Sequence, residues 1–306
     1  MTAAATLGGP LGVAVLWPRT RIRDALLFAM QMWAFTVVHE LPYDDPRRLR
    51  DRLRIRYPIR ADLALGGGEL PNLRLQRALA RPGRVGRLDR VLAIVHWAWF
   101  GEPHAALVWI LLRRPDRFPR AARQLAAAFD LGCAVYFLVP TAPPWWAAEN
   151  GYIADELARR GTAAQHDGDG HPAGAESIDE QPAGIDFERL RRVMVEVGEQ
   201  VWGEAWPGLY SALGGNPWAA MPSLHFATSL LAAILLAESA AGAGAVGSAY
   251  AAALALALVY LGEHYAVDLI AGAALVAAVR LGDPLLAPAA RIASAALQRL
   301  ERTAAP

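Results

Sequence analysis

Two histidines and an aspartate in the second half of the chain have the spacing of a proton-handling site. His225 follows Met221-Pro222-Ser223-Leu224, and His264 lies four residues before Asp268 in Gly262-Glu263-His264-Tyr265-Ala266-Val267-Asp268. Residues four apart share a helix face, so Asp268 can accept from one ring nitrogen of His264. That fixes the tautomer and leaves the other nitrogen as a nucleophile. His225 is placed to protonate a leaving oxygen and then to deprotonate an incoming water or alcohol. Pro222 suits the first turn of a helix. The N–H groups of Ser223, Leu224 and His225 would then point outward as an anion site, with the Ser223 hydroxyl as a further donor. Together these pieces can perform phosphoryl transfer in two steps through a phosphohistidine on His264. On spacing alone, an interfacial role for each His stays open beside the catalytic one.

Both motifs sit at the start of apolar runs, and an ionisable group at the mouth of a membrane span marks a functional site. The chain has 306 residues, 55% of them hydrophobic, and a mean hydropathy of +0.22. Six stretches approach the roughly 20 apolar residues that cross a bilayer, at about 24–41, 91–112, 121–140, 220–237, 244–262 and 264–281. The first ends in His39-Glu40, the second is interrupted by Gly101-Glu102-Pro103, and the third carries Asp130. The expected fold is an all-α integral membrane protein, a six-transmembrane-helix bundle. A soluble bundle would need polar faces that 244–262 lacks. The single Cys133 lies in a span and reads as a small core residue, which excludes an internal disulfide and a cysteine metal cluster.

All 30 basic residues are Arg. Residues 1–23 and 113–123 are Arg-rich, and the tail after the last span is net basic, so the positive-inside rule puts these segments in the cytoplasm. No basic residue precedes the weakly apolar N-terminus, which lacks the charge order of a signal peptide. The outer side then holds an Arg-rich loop, 42–90, at net +7, and an acidic loop, 141–218, at net −8. The two can neutralise each other on one side, or 42–90 can lie on an anionic membrane surface. The whole chain, 1–306, reads as one membrane domain.

Gly, Ala, Asp and Pro dominate 161–184, which reads as a flexible segment. Phe187, Leu190, Val193, Met194, Val197 and Val201 have helical spacing and predict an amphipathic helix over 186–202. Trp145, Trp146, Trp202, Trp206 and Trp218 fit an interfacial aromatic belt. Glu102, His104 and Asp130 are the other polar residues at membrane depth; each serves either a substrate cavity or a structural hydrogen bond.

The stretch Asn216-Pro217-Trp218-Ala219-Ala220-Met221-Pro222-Ser223-Leu224-His225 resembles the second motif of the type 2 phosphatidic acid phosphatase superfamily. Its Pro-Ser-Leu-His form is that of a bacterial branch similar to inositol phosphorylceramide synthases. Glu263-His264-Tyr265 with Asp268 resembles the third motif, as sphingomyelin and inositol phosphorylceramide synthases write it. Pro140-Thr141-Ala142-Pro143-Pro144 resembles the loop after the third span. The similarity covers a catalytic core from about 90 to 281.

The resemblance implies a six-helix core with an extracytoplasmic site in the cell membrane. It implies His264 as nucleophile, Asp268 as its partner, His225 as general acid and base, and no metal or other cofactor. Ser223, Leu224 and Asn216 stand as phosphate contacts, and Glu263, Tyr265, Asp130 and His104 as accessory residues. The expected partners are a phospholipid or polyprenyl-phosphate substrate, membrane lipids and an acceptor alcohol, with no nucleic acid. Hydrolysis of a lipid phosphate and transfer of a headgroup such as phosphoinositol both stay open.

Three departures bear on the phosphate. The first motif, KxxxxxxRP, is absent; Trp145 follows the double proline where many relatives have Arg; and Leu258 stands where the third motif has Arg. An Arg of 42–90, or Arg189, Arg191 or Arg192, is expected to supply the charge. The alternatives are an inactive relative, a transporter of polyprenyl phosphates using the same anion site, and a b-haem protein ligated through pairs among His39, His96, His104, His225 and His264.

Overall fold

The computed structural model describes residues 46–166 apart from Pro82, then 190–208 and 216–304, with shorter pieces between 9 and 34. His39, Arg189 and the stretch 167–184 lie outside the described residues, as does much of the span at 24–41.

The described chain is all-helical. In order come α1 (Pro46–Arg52), α2 (Arg56–Leu65), α3 (Pro71–Leu79), α4 (Arg87–Ala98), α5 (Glu102–Arg113) and α6 (Phe118–Leu138). The acidic half follows with α7 (Pro144–Glu149), α8 (Tyr152–His166) and α9 (Val193–Trp202), and then α10 (Leu224–Ser239), α11 (Ala241–Tyr260) and α12 (Ala266–Ala304). Prolines open α3, α5 and α6 within their first turns, where a missing N–H costs nothing.

The apolar positions sort these helices into packed groups. Leu107, Ile110, Leu125, Phe129, Leu231 and Val276 join α5, α6, α10 and α12. Leu92, Val193, Val197 and Leu261 join α4, α9 and α11, with Trp206 against them. Ile59, Leu63, Leu73 and Tyr265 tie α2 and α3 to the turn before α12. The outward faces of α5, α6, α11 and α12 are apolar too: Val108, Leu112, Leu131, Val246 and Ile270 are exposed.

Several expectations change. The described residues from 46 to 90 form helices where an Arg-rich loop is expected. Their apolar residues recur at helical spacing between the arginines, and α2 and α3 are buried on that face. The acidic segment likewise holds α7 to α9, and 161–166 continue α8. The opposite charges meet: Arg56 pairs with Asp155 at 3.1 Å and Arg60 with Glu156 at 2.8 Å. The amphipathic helix begins at Val193, and Trp206 is buried against Gly198 rather than belonging to a surface belt. The span at 91–112 is two helices, broken at Trp99–Gly101.

Among the described residues, α11 is the one straight helix long and apolar enough to cross a membrane. α12 passes the same test only when counted across a 54° bend after Leu285. Pro288 explains the bend, because its ring clashes with the carbonyl four residues earlier.

The elements that carry the two motifs are tied at both ends. Thr141 bridges to Arg54 on one side and Ala219 on the other, so three chain segments lie side by side under the α10 start. At the far end, Arg120 and Arg280 pair with Glu238 and Arg123 pairs with Asp283. The thirteen residues from His225 to Glu238 rise about 20 Å, so this charged ring and the histidines lie at opposite ends of the bundle.

Candidate active site

Ser223 is the N-cap of α10, and its hydroxyl accepts from the Phe226 N–H at 3.3 Å. The helix start is then pinned from two sides. Ser223 N–H donates to the Asp268 carbonyl at 3.0 Å, and Leu224 N–H donates to the Tyr136 hydroxyl at 3.2 Å. Tyr136 in turn donates to the Pro222 carbonyl at 2.8 Å. The expectation of free donors at this terminus therefore fails for Ser223 and Leu224: cap, neighbouring helix and buried tyrosine already satisfy them. Pro222 precedes the helix through a cis peptide bond rather than opening it.

What this start presents is His225. Its ring lies between Trp99, 4.1 Å away centroid to centroid, and His96, stacked at 4.9 Å. Its Nδ1 is 3.2 Å from His264 Nε2.

His264 comes from the tight turn between α11 and α12. Gly262 makes that turn at φ 79°, a left-handed conformation that side chains disfavour. His264 Nδ1 lies 2.9 Å from the Ala220 carbonyl and 3.4 Å from Asp268 Oδ2. Both partners only accept, so Nδ1 carries the hydrogen. Nε2 is then the lone-pair nitrogen of the neutral ring, and the hydrogen between the two rings belongs to His225 Nδ1. Asp268 is fully buried, and the same Oδ2 accepts from the Tyr265 N–H at 2.8 Å. It thus orients the His264 ring and caps α12 together.

The structure brings His225, His264, Asp268 and Ser223 together, leaves Leu224, Glu263 and Tyr265 beside them in the chain, and gives Asn216, Asp130 and His104 other partners. Asn216 Oδ1 accepts from the Trp218 N–H at 2.9 Å, so its side-chain oxygen builds the turn before the motif rather than facing a phosphate. Tyr265 is a core residue with no exposure. Asp130 sits on the exposed side of α6, where Gln31 donates to it at 3.3 Å. His104, on α5, stacks near Phe129 of α6. Glu263 follows Gly262, and burial pushes its carboxyl up to about 7, against the pull of His264 and Arg192.

Two arginines lie on segments packed around these residues. Arg192 lies over the Trp145 ring at 3.9 Å and pairs with Glu149 at 3.1 Å, while the Trp145 N–H donates to the Gly262 carbonyl at 3.1 Å. Arg54 is exposed, and its guanidinium has no ion pair or hydrogen bond among the described residues. It is close enough to act on the Tyr57 hydroxyl, which is 2.9 Å from Met221 Sδ and 3.0 Å from Thr141 Oγ1. Arg191 turns away to Glu196. Three contributors carry no local sequence signal: the Ala220 carbonyl, Tyr136 and the His96–Trp99 pair.

The model of the PAP2 superfamily matches residues 83–281. No curated protein and no solved structure matches the chain.

Proposed function

The chain belongs to the PAP2 superfamily, whose members are phosphatases and phosphotransferases, and from that premise we propose that it is a membrane enzyme of lipid phosphates working through a phosphohistidine. The observation that carries this reading is the contact of His225 Nδ1 with His264 Nε2 at 3.2 Å, with the Ala220 carbonyl on the other ring nitrogen of His264, so that a neutral His264 turns its lone pair toward His225.

A phosphoryl group entering between the rings displaces their hydrogen bond. His264 Nε2 attacks phosphorus, the ester P–O bond breaks, and the leaving alkoxide takes the Nδ1 proton of His225, which acts as the imidazolium. The phosphorylated ring is cationic, and the Ala220 carbonyl and Asp268 carboxylate face its Nδ1–H. His225, now neutral, takes a proton from water or an acceptor alcohol as that oxygen attacks phosphorus and the N–P bond breaks. Arg54 and Arg192 supply the charge that the phosphate oxygens require.

The apolar outer faces of α5, α6, α11 and α12, between a charged end and the histidine end, support a bundle embedded in lipid. In this reading six spans cross the cell membrane, and the Arg-rich end lies in the cytoplasm. The histidine end with α2 and α8 faces outward, toward a phospholipid or polyprenyl-phosphate headgroup. The Pro-Ser-Leu-His form favours the branch that also transfers headgroups to an acceptor alcohol.

The test is phosphate release from a panel of lipid phosphates by detergent-purified protein, beside His264→Ala and His225→Ala. Release by the wild type alone supports hydrolysis with the assigned roles. A folded wild type silent on every substrate removes the phosphatase reading and leaves headgroup transfer, to be assayed with an added alcohol.

A further inference from the structure

The family match begins at residue 83, yet the turn that carries His264 is held by side chains from before it. That turn joins the last carbonyls of α11 to the first N–H groups of α12. Helix ends leave such groups without partners inside the helix, and here they are buried. Asn72 on α3 donates through Nδ2 to the Val259 carbonyl at 2.7 Å and to the His264 carbonyl at 2.9 Å. Gln76, one turn further along α3, donates to the Tyr260 carbonyl at 2.8 Å. Asp62 on α2 accepts from Val267 N–H at 2.8 Å through Oδ1 and from Ala266 N–H at 2.9 Å through Oδ2. Asp62 and Asn72 have no exposure, and Gln76 is 4% exposed.

Five backbone groups between Val259 and Val267 are thus satisfied by three side chains of a segment outside the matched region. Gln76 extends the hold. Its amide also donates to the Arg191 carbonyl at 3.0 Å, and its oxygen accepts from the Arg191 N–H at 2.9 Å. The chain at Arg191–Arg192 is thereby tied to the same helix as the His264 turn. Burial lifts the Asp62 carboxyl to about 6, so at neutral pH it is ionised and accepts both bonds.

We propose that Asp62, Asn72 and Gln76 are positioning residues of the phosphoryl-transfer site, fixing His264 against His225 by capping both helix ends that enclose its turn. The proposal rests on the catalytic reading of the two histidines. Asn72 is the most direct of the three, because it holds the carbonyl of His264 itself. A merely stabilising contact would change the melting temperature and leave turnover per folded molecule alone. A positioning contact changes turnover while substrate affinity stays, because the Arg and apolar contacts that bind the lipid phosphate lie elsewhere.

The experiment compares wild type, Asn72→Ala and His264→Ala as full chains in detergent, on one lipid phosphate that the wild type turns over. The readouts are kcat, KM and melting temperature. The expected result for Asn72→Ala is a fall in kcat of about 10- to 100-fold with KM within about twofold, the loss that a displacement near 1 Å produces. Wild-type kcat in a folded Asn72→Ala protein overturns the proposal. An inactive wild type indistinguishable from His264→Ala would instead refute the catalytic reading on which it rests. Should Asn72→Ala not fold, Asp62→Asn decides by the same readouts, since it keeps the volume and loses one of the two acceptors. Loss of folding in both, or a change in stability alone, overturns positioning in favour of plain support.

Discussion

His225 Nδ1 and His264 Nε2 stand 3.2 Å apart with one hydrogen between them, and the Ala220 carbonyl decides which ring owns it. Because that carbonyl holds the His264 hydrogen on Nδ1, the proposed acid and the proposed nucleophile differ before any substrate arrives. His225→Ala should therefore lower turnover of an alkyl phosphate about 10²- to 10⁴-fold, the usual contribution of a positioned acid or base. An aryl phosphate has a good leaving group and needs no proton, so its first step should survive. The variant should then accumulate an acid-labile, base-stable phosphoryl label on His264. Absence of that label from His225→Ala, with wild-type release intact, would remove the division of roles.

Arg54 and Arg192 approach the site from α1–α2 and from the start of α9, and they differ in commitment. Arg192 is held by Glu149 and Trp145, whereas the Arg54 guanidinium has no partner among the described residues. Hydrogen bonds to charged groups are worth about 1.5–3 kcal/mol. Arg54→Ala should lower kcat/KM by about 10- to 100-fold on that basis. Arg192→Ala should lower it less, because Glu149 already shares its charge. Kinetics on the two variants, expressed to wild-type levels, check both the direction and the order.

Glu263 gives the site an acid–base limb. Its carboxyl titrates near 7, raised by burial, so it is neutral below that pH and anionic above it. An added negative charge beside His264 repels a phosphate. KM should rise as pH climbs through 7, and Glu263→Gln should abolish the rise. The linked stability has the same direction. The folded state holds a proton that the unfolded chain has released, so stability falls between pH 4.5 and about 7 and the Gln variant lacks that fall. Melting curves at pH 5 and 8 for the two proteins measure it.

The residues that the fold brings together at the candidate site are legible in the sequence because their signals are local. A four-residue interval between His264 and Asp268 means a shared helix face, and apolar runs behind each motif mean helices. What stayed hidden depends on distant backbone. The Ala220 carbonyl bonds His264 across 44 residues, and Tyr136 reaches Leu224 across 88. The donors expected free at Ser223 and Leu224 are paired for that reason: a donor that looks free along the chain is taken by a residue far away in it. The segment 42–90 reads as a basic loop in sequence because its thirteen arginines mask the helical interval between Ile59 and Leu63, which are wholly buried.

Tyr136 shows how much the start of α10 depends on one buried hydroxyl. It donates to the Pro222 carbonyl and accepts from the Leu224 N–H, so both groups beside the Ser223 cap are satisfied by a single oxygen. Tyr136→Phe keeps the ring, which packs among Phe129 and Leu224, and strands both groups away from water. Leaving a buried donor or acceptor unpaired costs about 1–3 kcal/mol. The variant should melt several degrees lower and lose activity as His225 drifts from His264. Gly272→Ala strains the same spot from the other side, since its added carbon would sit 2.8 Å from the Ser223 carbonyl oxygen. Both substitutions act on the one short stretch that sets the His225 ring, so their combined effect should be less than the sum of the two. A double-mutant cycle in melting temperature and turnover measures that coupling, and strict additivity would mean that Tyr136 and Gly272 support the helix start independently.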